Sequence, residues 1–211
     1  MNYYQFDFLL LCRNNKIEDM KNVFVVVCMF FCMSSFAQTS KDSLPSPIPA
    51  LDKSQMDMST FPTDYALLKL QGKVTEPLIA RIVYSRPQKN NRVIFGELVE
   101  YNTVWRFGAN ENSEIEFFKD VKIGKTILKK GKYSVFAIPN LDKWTIIFNR
   151  DLNTWGSFKY QASKDALRVD VPTVKTTNVA EAFFIYFTKT SKGFSMISGW
   201  DNIQTSLPII L

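Results

Sequence analysis

The sequence predicts an all-β fold, an antiparallel β-sandwich or flattened barrel with at most short helical turns. Three observations carry that expectation. Short runs rich in Val, Ile, Phe, Tyr and Thr recur from Tyr65 to the C-terminus, Gly, Pro, Asn and Asp divide them, and no stretch keeps a helical period. Many short strands at even spacing bury their apolar residues by pairing into packed sheets. At 46% hydrophobic and 14% aromatic, the 211 residues can fill one core and are too few for two comfortable domains.

The N-terminus has a different character. From Met20 the chain reads MKNVFVVVCMFFCMSSFAQ, with a basic start at Lys21, an apolar run of 11 residues from Val23 to Met33, and the small-residue pattern Ser35-Phe36-Ala37. Residues 20–37 thus have the layout of a secretory signal cleaved between Ala37 and Gln38. The apolar run is too short for an ordinary membrane-spanning helix. Residues 1–19 carry Asp7, Glu18 and Asp19, which do not suit a signal's basic start. They read as a start-site artefact, with an extended leader or membrane anchor as the rival. Phe31 precedes Cys32 where lipoprotein processing needs a small residue, which argues against a lipid anchor. The expected location is the periplasm or cell surface of a Gram-negative bacterium, with no transmembrane anchor after cleavage.

Removing the leader removes Cys12, Cys28 and Cys32, and the sequence has no histidine. The leader holds three basic and three acidic residues, so the net charge stays at +6. A chain without His or Cys excludes Ser-His-Asp and Cys-His catalysis, Cys/His zinc sites and His-held iron or haem. Carboxylate pairs, Ser-Lys pairs, Tyr and hard metals on oxygen survive the exclusion. No cofactor or metal site is expected. Gly124-Lys125-Thr126 lacks the upstream glycine of a phosphate-binding loop, since Lys119 stands there, and Asp142 and Asp151 lack calcium-loop spacing.

Along the mature chain, residues 38–64 (QTSKDSLPSPIPALDKSQMDMSTFPTD) are polar, proline-containing and aperiodic, and read as a flexible linker. The β-domain is expected over residues 65–211. Its candidate strands are ALLKLQ, LIARIVYS, TVWRF, SEIEFF, VKI, TIL, KYSVFAI, WTIIFNR, ALRVDV, AFFIYFTK, FSMISGW and IQTSLPI, and IFGELV suits one helical turn. Period-two alternation puts Ile115 and Phe117 on one face and Glu114 and Glu116 on the other. Phe183, Ile185 and Phe187 share a face, with Phe184 and Tyr186 opposite, which suits a central or covered strand. The hairpin VKIGKTILKKGKY carries five lysines and no acid. Without interleaved aromatics it reads as aggregation-blocking edge strands, and no nucleic-acid partner is expected.

The stretch WRFGANE (105–111) breaks a hydrophobic run with polar residues. In an extended TVWRF, Trp105 faces the core and Arg106 emerges on the reverse side. Gly108 eases the strand end, and Asn110 suits a left-handed backbone or a side-chain cap. Arg86 in YSRP and Arg106, Asn110 and Glu111 are expected to meet at neighbouring strand ends. A guanidinium fork, an amide and a carboxylate there either grip a polar ligand or satisfy one another.

Several motifs keep their order: Ser85-Arg86-Pro87, Ile94-Phe95-Gly96-Glu97-Leu98-Val99, Trp105 to Glu111, Gly131 to Ser134, Trp144 to Asn149, and Trp155-Gly156. Over roughly residues 65–209 the chain resembles a family of secreted bacterial proteins, domain of unknown function 2911. The resemblance implies export and a β-rich fold and brings no activity. Relatives often have a histidine before the first strand, where this chain reads STFPTDYA, and that departure favours binding over catalysis.

The leading expectation is a non-catalytic binding module for a polar, anionic or sugar-like small molecule, using Arg86, Arg106, Asn110 and Glu111 with Tyr101 or Trp155 as a stacking wall. One alternative is a carboxylate hydrolase built on Glu97 and Glu111, which requires the two carboxyl groups about 5–9.5 Å apart across a cleft. The other is a structural envelope protein in which the motif is only a rigid turn, so that Arg106→Ala, as the loss of one partner of a buried pair, destabilises the fold. Oligomeric state is left open.

Overall fold

A computed structural model describes residues 50–211, and the leader and residues 38–49 of the expected linker lie outside the described residues. Among the described residues the fold is all-β and antiparallel, a single sheet of nine strands in the order β1-β2-β3-β6-β7-β8-β9-β4-β5. The strands are β1 (Met56–Phe61), β2 (Ala80–Ser85), β3 (Ser113–Phe117), β4 (Val121–Ile123), β5 (Thr126–Leu128), β6 (Gly131–Pro139), β7 (Lys143–Asn149), β8 (Asp165–Thr190) and β9 (Gly193–Ile210). The helical content is α1 (Tyr65–Leu70) and a 3-10 turn at Ala162–Lys164.

The sheet becomes two layers because β8 belongs to both. Its first part pairs with β7 from Asp165 to Pro172, and from Thr173 onward it pairs with β9. The register shifts between Lys175 and Ala180 and again between Ala180 and Phe184, bulges that bend a strand and raise its twist. Core residues then arrive from both layers. Ile82, Ile115, Val135 and Phe148 come from one, and Ile123, Phe183, Ile185, Met196 and Leu207 from the other. On the open side β1 closes against β8 and β9 through side chains. The Ser59 hydroxyl donates to the Ile185 carbonyl at 2.6 Å, and Phe61 stacks on Phe194 with ring centroids 4.3 Å apart.

Alternation placed the faces well. In β3, Ser113, Ile115 and Phe117 are buried and Glu114 and Glu116 are half-buried. In β8, Phe183, Ile185 and Phe187 face the core while Tyr186 is exposed. The lysine hairpin is β4–β5, with β5 at the sheet edge and Lys129 paired to Asp120 at 2.9 Å.

Other expectations need correction. The fold begins earlier than residue 65, because MDMSTF forms β1 inside the segment read as linker and pairs with β2 from Met56↔Ser85 to Phe61↔Ala80. As an edge strand it buries little beyond Phe61, so its pattern looks polar. ALLKLQ is helix α1, not a strand. Ala, Leu and Lys are good helix formers without β-branching, and no residue of α1 is buried. IFGELV makes a tight turn bracketed by the Phe95–Val99 bridge rather than a helical turn. ALRVDV and AFFIYFTK are parts of the one strand β8, as FSMISGW and IQTSLPI are of β9.

The 86–112 connection between β2 and β3 positions the candidate site. Connections of that length are uncommon in compact domains and tend to carry function. This one is packed: Ile94, Val99, Trp105 and Phe107 from it are all core residues.

Candidate functional site

TVWRF was expected as a strand and is not one. Trp105 makes a lone bridge to Ala137, and the backbone turns left-handed at Phe107, with φ of 55°. A non-glycine residue in that region is uncommon and is strained unless its surroundings hold it. Here Phe107 is fully buried, with its ring 5.2 Å from Phe183 and 5.5 Å from Trp105. The Trp105 indole donates to the Gly108 carbonyl at 3.0 Å and closes the turn. Gly108 is needed for close approach rather than for a strand end, since a Cβ there would sit 3.2 Å from the Ser85 carbonyl oxygen and 3.3 Å from the Ser113 hydroxyl. Asn110 has the expected left-handed backbone, at φ 56°.

This turn aims Arg106 into a cavity of about 220 Å³ lined by Arg92, Leu98, Trp105, Asn110 and Trp200, among others. Arg106 is half-buried, and its Nε is sealed from solvent without a hydrogen-bond partner among the described residues. Burial pushes its pKa down, and no carboxylate raises it again. Of the two arrangements the sequence left open, the Arg-Glu pair is not formed among the described residues: Glu111 is exposed and faces a different cavity, of about 290 Å³, with Asn112, Glu114 and Asn153. Asn110 shares the Arg106 cavity and donates through Nδ2 to Asp52 at 2.6 Å.

Arg86 does not join them. Its guanidinium donates to Asp57 at 3.1 Å and to the Phe183 carbonyl at 3.2 Å, in a cavity of about 460 Å³ with Lys53, Gln55 and Gln88. The separation follows from backbone alternation: Arg86 turns toward β1, while the next residue, Pro87, lines the Arg106 cavity. Tyr101 walls none of these cavities. Its ring lies against Gly96, where an added Cβ would be 3.1 Å from the ring. Trp155 lines a groove of about 430 Å³ on the loop between β7 and β8. Glu97 sits in the exposed turn after Gly96 and does not line the cavity of about 290 Å³ that Glu111 lines.

Sequence reasoning missed Arg92 and Phe158. Arg92 lines the Arg106 cavity and holds itself by donating to the carbonyls of Lys89 and Gln88. Nothing local in NNRVIF marks it. Phe158 had a signal, an aromatic residue in the polar loop WGSFKY three positions after Trp155.

The two candidate regions are joined through main chain. Gly156 donates its N–H to the Asn110 carbonyl at 3.0 Å, Asn112 donates to Thr154 at 3.1 Å, and Glu111 bridges Trp155. Tyr160 forms another wall of the groove, its hydroxyl donating to Asp165 at 2.7 Å. Burial first and the Asp165 carboxylate second push its pKa up to about 12. Because the folded value lies above the ordinary 10.0, the neutral phenol supports the fold fully below pH 10 and that support is lost as pH rises toward 12. Tyr160→Phe is expected to remove one phenolate step near pH 12 from an alkaline absorbance titration and to blunt the loss of stability over the same window.

The fold and these cavities define an all-β protein in which an arginine without an acidic partner among the described residues is recessed in a small pocket lined mainly by the 86–112 connection. Residues 69–209 match the family described as protein of unknown function DUF2911, and the chain belongs to that family. Neither a curated protein nor a solved structure matches it. Among the described residues no helix is long and apolar enough to cross a membrane.

Proposed function

We propose that this is an exported, non-catalytic binding module of the cell envelope, and that Arg106 holds a small ligand bearing a carboxylate or phosphate. One observation carries the reading. A guanidinium is recessed in a cavity, its Nε desolvated, with no acidic partner among the described residues. Burial that no carboxylate offsets leaves the guanidinium charge poorly solvated, and an anion entering the pocket stabilises that charge. Arg92 adds a second positive charge at the wall, while Leu98, Trp105 and Trp200 supply low-dielectric sides that strengthen the attraction. The volume of about 220 Å³ suits a small anion or the charged end of a larger molecule.

Neither alternative has a comparable observation. For the hydrolase reading, Glu97 does not line the cavity that Glu111 lines. A structural role for the 105–111 turn needs no ligand, but it gives no reason for a recessed arginine without an acidic partner among the described residues.

The test is a thermal-melt titration with inorganic phosphate, acetate and galacturonate, using sodium chloride at matched ionic strength as the blank. At least one of them is expected to raise the melting temperature saturably, by the equivalent of about 2.7 kcal/mol at a hundredfold excess over Kd. Arg106→Met should abolish that rise and Arg86→Ala should leave it in place. A flat response to all three anions, or an equal response in Arg106→Met, contradicts the proposal.

A further inference from the structure

We propose that the loop between β7 and β8 carries a second, independent binding site, a groove that stacks the pyranose rings of a neutral glycan on Trp155 and Phe158. Of the four tryptophans, Trp105, Trp144 and Trp200 are 7%, 1% and 1% exposed, whereas Trp155 is 60% exposed and its neighbour Phe158 is 80% exposed. Their rings are nearly parallel, 14° apart in plane, with centroids separated by 5.9 Å. The two rings pack against each other and both remain in contact with water, the kind of exposed apolar patch that marks an interaction site.

The patch is held in place by the fold. Main-chain bonds from Asn112 to Thr154 and from Gly156 to Asn110 tie the loop to the 105–112 turn, and Asn153 N–H donates to Glu114 at 2.7 Å. Gly156 is left-handed, with φ of 69°, and lies directly under the Phe158 ring. A Cβ there would come within 2.6 Å of ring carbon and push the ring away. Beneath the patch, Phe136 and Tyr160 meet edge to face at 5.0 Å and form the groove wall, and Tyr160 is pinned by Asp165 and Arg168.

The rim decides the ligand class. The side chains of Asn153, Lys159 and Gln161 line the groove and make no hydrogen bond to the described residues. A pyranose ring matches this arrangement, with C–H bonds on its flat face for the aromatics and hydroxyls at its edge for the amides. A nucleobase would stack as well, but single-stranded nucleic acid needs a continuous cationic track along its backbone. Here Lys159 shares the rim with Asp151, which is itself paired to Lys164 at 2.9 Å. The groove volume of about 430 Å³ lies within the usual range for small-molecule sites.

Because the other tryptophans are buried, acrylamide quenching of tryptophan fluorescence reports chiefly on Trp155. The test uses soluble hexasaccharides of β-1,4-glucan, β-1,4-mannan, β-1,4-xylan and α-1,4-glucan, with a thymidine oligonucleotide alongside. At least one hexasaccharide is expected to protect Trp155 saturably. By calorimetry Trp155→Ala and Phe158→Ala should each lose at least tenfold in affinity for it at an unchanged melting temperature, and Arg106→Met should bind as the wild type does. The proposal is overturned if no hexasaccharide protects, if Trp155→Ala binds normally, or if only the oligonucleotide protects. Protection that instead follows protein concentration, with a dimer in sedimentation, overturns it too. Failure here leaves the Arg106 reading untouched, since that site is titrated with different ligands.

Discussion

Trp105→Ala is expected to lower the stability of the protein by about 3–5 kcal/mol, the cost of removing a large aromatic side chain from a filled core. Trp105 is the most connected ring of the core. Its centroid lies 5.0 Å from Phe183, 5.5 Å from Phe107, 6.0 Å from Trp144, 6.2 Å from Trp200 and 6.3 Å from Phe95. Those partners come from the 86–112 connection, β7, β8 and β9, so one truncation loosens both layers together. The indole N–H to the Gly108 carbonyl would be lost as well, and with it the closure that holds Phe107 left-handed. For a domain of this size the loss amounts to a drop in melting temperature on the order of 10 °C. Urea unfolding followed by circular dichroism measures it, and a midpoint within error of the wild type would mean that the 105–112 turn is not part of the cooperative core. Trp155→Ala is the internal contrast, expected to change stability by no more than about 0.5 kcal/mol because that side chain lies in solvent.

The faces of β2, β3 and β4 could be read from alternation because each buries one face more than the other, as β3 does with Ile115 and Phe117 against Glu114 and Glu116. Legibility failed where the physics is not local. β1 was hidden because an edge strand lying against β8 needs little apolar patterning of its own. The continuity of β8 was hidden because its middle, from Thr176 to Val179, leaves the ladder and exposes side chains on the way from one layer to the other. At the site, the residue types were legible and their grouping was not. Arg106 and Asn110 do share a cavity, as their spacing in WRFGAN suggested. Arg86 was drawn away by Asp57 on β1, a partner that could not be foreseen while residues 38–64 read as linker. The left-handed Phe107 is the least foreseeable feature. A bulky aromatic residue is a poor candidate for that conformation, and burial between Trp105 and Phe183 is what holds it.

Arg106→Met should make the ligand-free protein more stable, by on the order of 1 kcal/mol. Methionine fills a similar path through the cavity wall without a charge to desolvate, and no carboxylate is orphaned by the change because none pairs with Arg106 among the described residues. A stabilising substitution that abolishes binding is the pattern of a residue kept for function at the expense of the fold. The same substitution in a structural ion pair has the opposite sign, since removing one member of a buried pair costs about 3–5 kcal/mol. The decisive measurement is therefore the urea midpoint of Arg106→Met against wild type in buffer free of phosphate and carboxylates. A higher midpoint at an unchanged slope is the expected result, and a midpoint lowered by several kcal/mol would contradict the assignment of Arg106 as an anion-binding residue awaiting its ligand.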